Sequence, residues 1–228
     1  EDNDSAGDSG NTPRGTCIRA EDGSPRPRAG GRGTDARRTG DAELDRLPDD
    51  ETVEETVANL EERGFDVIVV DDADEALTAV KSQIPDGVSV MNGHSTTLEE
   101  IGFDEFLSEG DHDWESLPDQ IWSIDDDAER QTARRESQTA DYFLGGINAV
   151  AQTGELVAAD LSGSRIGAYP FAAGNVVIVT GANKVVPTLS DAFDRLESVA
   201  YPLENERAQE AYGAESAIAK QLVYRRET

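Results

Sequence analysis

The sequence predicts an α/β protein built on a mostly parallel sheet. Two observations carry this reading: stretches of helical periodicity alternate with short runs, and each run is almost uninterrupted in its apolar, β-branched residues, as strands covered on both faces require. A third observation, one hairpin pattern late in the chain, adds an antiparallel element. At 228 residues there is room for one good-sized domain and a tail.

Residues 1–45 are Gly, Pro, Ser, Arg and Asp with almost nothing to bury, and are expected to form a disordered tail ahead of a domain over 46–228. The first helix is expected over Thr52–Arg63, where Val53, Val57 and Leu60 fall on one face and Gly64 stops it. Phe65–Val70 is a run fit for a buried strand. Ala73–Gln83 is helical, with Ala76, Leu77 and Val80 inward, and Val88–Met91 is a second short strand. The acidic span Phe103–Asp127 holds Trp114 and Trp122 and reads as surface helix and loop with a short strand at Ile121–Ile124. A helix over Ala128–Ala140 follows. Gly146–Ala159 makes the hairpin around Thr153-Gly154. Asn175–Thr180, NVVIVT, is the strongest strand, and Ser190 is expected to cap a helix whose Ala192, Leu196 and Val199 face inward.

Charge limits the partners. The chain has 48 acidic and 20 basic residues, a formal charge of -28, and its lysines are Lys81, Lys184 and Lys220. Residues 1–40 are balanced, so the remainder holds the whole excess. Phosphate backbones and anionic lipid are recognised through Lys and Arg, so no nucleic acid and no membrane insertion is expected. An acidic, lysine-poor surface suits a salt-loaded cytoplasm, in which counter-ions screen self-repulsion; a halophilic source is expected. Cys17 is the single cysteine, which excludes an internal disulfide, a zinc–thiolate site and an iron–sulfur cluster held by this chain. With no apolar span or signal-like segment, the reading is a soluble cytoplasmic protein with no metal and no cofactor.

Three loops stand out in this acidic chain. The first follows a strand, as MNGHSTTLEE. Thr96 to Glu99 fits a capping box, and Gly93, Ser95, Thr96 and Thr97 would suit a loop that grips an anion; the two readings are compatible. His94 is a candidate ligand or acid/base, set against the reading that a lone histidine with no identifiable partner is incidental. The second, Asp160 to Gly167, sets Arg165 among Gly163 and two serines, either to present its guanidinium to a carboxylate or phosphate or to pair with Asp160 and staple the hairpin exit. The third, Gly181-Ala182-Asn183-Lys184, follows the strongest strand, where open α/β sheets place ligands. If the loops share one edge, Ser95, Thr96, Arg165 and Lys184 converge on one anionic site.

The segments MNGHSTTLEEIGF, ADYFLGGINAVAQTGELVAADLSGSRIGAYPF and NVVIVTGANKVVPTLSDAFDRL together resemble the LUD domain, the lactate-utilisation family. The likeness runs from Glu51 to Gly213 and is most specific from Ala140 to Arg195, with Asn148 in the family's apolar-Asn-Ala pattern. It implies a three-layer α/β/α fold similar to ribose-5-phosphate isomerase, glucosamine-6-phosphate deaminase and CoA-transferases, in which a Ser/Thr-rich loop holds phosphate. It also implies work beside iron–sulfur oxidoreductase subunits in oxidising lactate to pyruvate. Some relatives carry a cysteine-rich cluster segment, whereas Tyr212-Gly213 here leads to Thr228 without cysteine. The resemblance therefore implies a cluster-free accessory subunit that binds a small anionic metabolite. The alternative is a stand-alone enzyme or sensor for a sugar phosphate or CoA ester, with Asp160 as base and Lys184 as electrostatic stabiliser.

Overall fold

The computed structural model describes residues 43–228 and, as backbone, the strand at 16–20. In chain order the elements are β1 (Thr16–Ala20), α1 (Asp50–Glu62), β2 (Asp66–Val69), α2 (Ala73–Gln83), β3 (Ser89–Asn92), α3 (Thr96–Glu100), α4 (Phe103–Glu109), β4 (Glu115–Ser116), α5 (Leu117–Trp122), α6 (Asp127–Glu136), β5 (Tyr142–Gly145), β6 (Ala149–Ala151), β7 (Leu156–Asp160), β8 (Asn175–Gly181), β9 (Val185–Val186), α7 (Leu189–Arg195), α8 (Tyr201–Tyr212) and β10 (Lys220–Tyr224). A π-helical turn over Leu196–Ala200 joins α7 to α8.

Six strands form one sheet in the order β2-β1-β8-β5-β3-β4, and every neighbouring pair is parallel. β8 shows why these strands read as unbroken apolar runs. Its Val177 and Val179 enter a core with Ala76 and Val80 of α2, Leu98 of α3 and Phe103 and Leu107 of α4, whereas Val176 and Ile178 enter the core on the other face. Alternate side chains of a strand point to opposite faces, so a doubly covered strand has no polar side.

The α/β/α layering holds, with one addition. On the second face lie Leu60 of α1 and a small sheet that contributes Val150, Leu156 and Ala158. This sheet runs β10-β7-β6-β9, and its far side packs Ala149, Val157 and Val186 against Ala192 and Leu196. The expected hairpin is therefore present as β6 and β7 but in a sheet of its own. β10, which completes that sheet antiparallel to β7, was not expected. Nor was β5, a central strand of the main sheet.

Other expectations change locally. Thr16–Ala20 falls within the stretch expected to be a tail, yet it pairs with β2 on one side and β8 on the other. Two β-branched residues amid charged and Gly-rich sequence give no local strand signal; the partners are remote. The rest of residues 1–42 lies outside the described residues. β2 is an edge strand rather than a buried one, with Val69 47 % exposed. Ile121–Ile124 is no strand: Ile121 is the one buried residue of α5, which starts behind Ser116 with Pro118 in its first turn, a place where proline's missing N–H costs nothing. The cap of α7 is Thr188 rather than Ser190, in a reciprocal capping box with Asp191. Gly64, at φ +86, ends α1, and a side chain there would meet the Glu227 carbonyl. Among the described residues no helix is long and apolar enough to cross a membrane.

Candidate functional site

β3, β5 and β8 lie side by side in the main sheet, so the loops leaving their carboxyl ends face a common space. That space is a cleft of about 590 Å³. Gly93 to Thr96 enter it after β3, Gly146 to Asn148 after β5, Asn183 and Lys184 after β8, and Asp160, Ser164 and Arg165 from the end of β7; α8 forms the opposite wall with Glu204 and Arg207. Thr97, Gly163 and Gly181 do not line it. The expected convergence of Ser95, Thr96, Arg165 and Lys184 is thus present, although Arg165 arrives from the small sheet rather than from the main sheet's edge.

The loop after β3 is built differently from the expected capping box. Ser95, not Thr96, caps α3 and accepts from the Leu98 amide at 3.4 Å. Glu99 does not return to the cap; it meets Nδ1 of His94 at 3.2 Å. Ser95 is buried with its hydroxyl against Gly146, where a β-carbon would come within 2.5 Å of it. Behind it, buried Thr97 accepts from Lys184 Nζ at 2.8 Å, which ties the β3 and β8 loops together. Gly93 is small for a neighbour's sake: a side chain would strike Cγ of Arg165 at 2.9 Å.

Arg165 is held by its surroundings. Its Nη2 donates to the Ala159 carbonyl at 2.7 Å and to Asn148 Oδ1 at 3.3 Å, while Nε and Nη1 have no hydrogen-bond partner among the described residues. Asn148 Oδ1 also accepts from the Ala159 amide at 2.8 Å. Asp160 does staple the hairpin exit, through the backbone: it accepts from the amides of Arg165 at 2.8 Å and Ser162 at 3.2 Å. Burial alone would raise its proton affinity, but the amides of Arg165, Gly163 and Ile166 and the Arg165 charge outweigh it and hold the carboxyl below its ordinary value. A carboxylate so occupied is a poor proton acceptor, which counts against Asp160 as a base.

The remaining charges come from residues with no sequence signal of their own. Arg195 is buried and bonds Asp45 and the Asn148 carbonyl, each at 2.5 Å; Asn183 reaches the same Asp45 at 2.8 Å. On α8, Arg207 grips Glu204 through two nitrogens at 2.7 and 2.8 Å and lies over the Tyr212 ring. The hydrogen bonds that Arg207 donates to Glu204 raise the basicity of Arg207. Burial lifts the Glu204 carboxyl, but Arg207 overcomes it and the net shift is downward. An i, i+3 pair on a surface helix looks ordinary in sequence; only the docking of α8 puts it in the cleft.

The family model of the LUD domain matches residues 53–218. The chain belongs to the LUD-domain family. The match takes in every loop of the cleft floor and the whole of α8, and links this LUD domain to lactate utilisation. No curated protein and no solved structure matches the chain.

Proposed function

We propose that the cleft of this LUD domain binds a small carboxylate-bearing anion, and that the protein serves as a cluster-free accessory subunit beside iron–sulfur oxidoreductase partners that oxidise lactate to pyruvate. The observation that supports this reading is the gathering of Arg165, Lys184, Arg195 and Arg207 on one cleft in a chain whose formal charge is -28. Carboxylates and phosphates are matched by guanidinium donors in a desolvated setting, where the charge–charge attraction is least screened. Arg165 is the best placed, since Asn148 and the Ala159 carbonyl fix one edge of its guanidinium and leave the other to a ligand. The fold-level resemblance of the family to sugar-phosphate isomerases and CoA-transferases supplies the alternative, a stand-alone enzyme or sensor whose Ser95–Thr96 loop takes phosphate.

Thermal unfolding with added pyruvate, lactate, a sugar phosphate or a CoA ester separates these. The carboxylates are expected to raise the melting temperature, and Arg165→Ala to weaken the effect about tenfold in half-saturating concentration. Stabilisation by the sugar phosphate or CoA ester alone would favour the alternative. Stabilisation of the Arg165→Ala variant equal to wild type would remove Arg165 from the site.

A further inference from the structure

His94 receives charge from three separate parts of the chain. Glu99 on α3 meets its Nδ1 at 3.2 Å. Arg207 and Glu204 act on it from α8 and Arg165 from the loop after β7, while Asp104 on α4 shares the neighbourhood of Glu99. A carboxylate has no proton to give, so Glu99 beside Nδ1 favours the neutral tautomer with its hydrogen on that nitrogen, which makes Nε2 the acceptor. That nitrogen has no hydrogen-bond partner among the described residues, and the side chain, 37 % exposed, lines the cleft. Burial first, then Arg207 and Arg165, hold the ring below its ordinary protonation range, against the opposite pull of Glu99 and Glu204.

An anion seated against the two guanidiniums cancels the charges that oppose protonation and leaves the two carboxylates that favour it. We infer that His94 belongs to the binding site and that the cleft takes up its anion together with one proton, which Nε2 accepts from solvent and then donates to the ligand as a hydrogen bond. One negative and one positive charge enter together, so the net charge of the site does not change. This rests on the anion-binding reading above and deepens it: the ligand is the conjugate base of an acid, bound more tightly as pH falls.

The chain has two histidines, His94 and His112, so the imidazole C–H resonances are readily followed by NMR, with His94→Gln for assignment. Saturating pyruvate is expected to move the His94 titration upward by about one pH unit or more. Pyruvate affinity, measured by calorimetry from about pH 5 to about pH 8, is expected to approach a tenfold gain per unit fall in pH between the free and bound titration points. His94→Gln is expected to bind pyruvate with a flat profile. Glu99→Gln, which removes a charge favouring the protonated ring, is expected to shift the wild-type profile to lower pH. If pyruvate binds but the His94 titration stays fixed, or if the slope survives in His94→Gln, the proton coupling is wrong and the anion site stands. If pyruvate binds at no pH, both fail.

Discussion

Gly93 owes its size to Arg165. The loop after β3 passes so close to the arginine stem that a single methyl would meet Cβ and Cδ at 3.1 Å and Cγ at 2.9 Å, and these are the inner carbons of the side chain, which cannot swing away without moving the guanidinium. Gly93→Ala is therefore expected to cost about tenfold in pyruvate affinity with little loss of thermal stability, since the misplaced group is the ligand's donor rather than a core residue. Equal affinity in wild type and variant would show that Arg165 does not hold the ligand. Asp160 illustrates the opposite assignment: a residue of catalytic type whose oxygens are taken up by the amides of its own loop. His94 reverses another expectation, because its partner Glu99 lies five residues on, across the first turn of a short helix.

Among elements, α7 and α8 carry the most consequence. α7 starts at a capping box in which Thr188 and Asp191 satisfy each other's backbone amides, at 3.2 Å and 3.0 Å, and its Ala192 closes the far side of the small sheet. Thr188→Ala is expected to destabilise the fold by about 1 kcal/mol, the usual loss for an N-cap hydroxyl, read as a lower urea midpoint at unchanged slope. Ser190→Ala is expected to change the midpoint little; a larger effect there than at Thr188 would restore Ser190 as the cap. α8 then brings Glu204 and Arg207 over the cleft, and a helix whose one buried residue is Ala208 gives no periodic sign of that destination.

The whole molecule combines an acidic exterior with a cleft in which Arg165, Lys184, Arg195 and Arg207 stand among the carboxylates of Asp45, Glu99, Asp160, Glu204 and Glu215. Salt acts on these two features in opposite directions. Counter-ions screen the mutual repulsion of the surface carboxylates, so the melting temperature is expected to rise across a KCl series. The same ions weaken attraction between the cleft and an anion, so pyruvate affinity is expected to fall over that series. Maximal stability at low salt would remove the halophilic reading, and salt-independent affinity would argue that the cleft's cations are not what the ligand meets.

Composition and periodicity determined much by themselves. The β-branched runs gave β2, β3 and β8, helical spacing gave α1, α2 and α7, and the hairpin followed from its turn, because each of those signals is local. The three loops were legible for a related reason: in a chain crowded with carboxylates, uncharged loops with Gly, Ser and a lone cation are visible against their background. Tertiary structure decided the rest. β1 has strand partners only at long range, β10 is recognisable only once β7 is beside it, and Glu99, Glu204, Arg195 and Arg207 look like ordinary surface charge until packing places them. Periodicity records which face of an element is buried, whereas a site depends on which faces meet, and that is fixed by contacts between residues far apart in the chain.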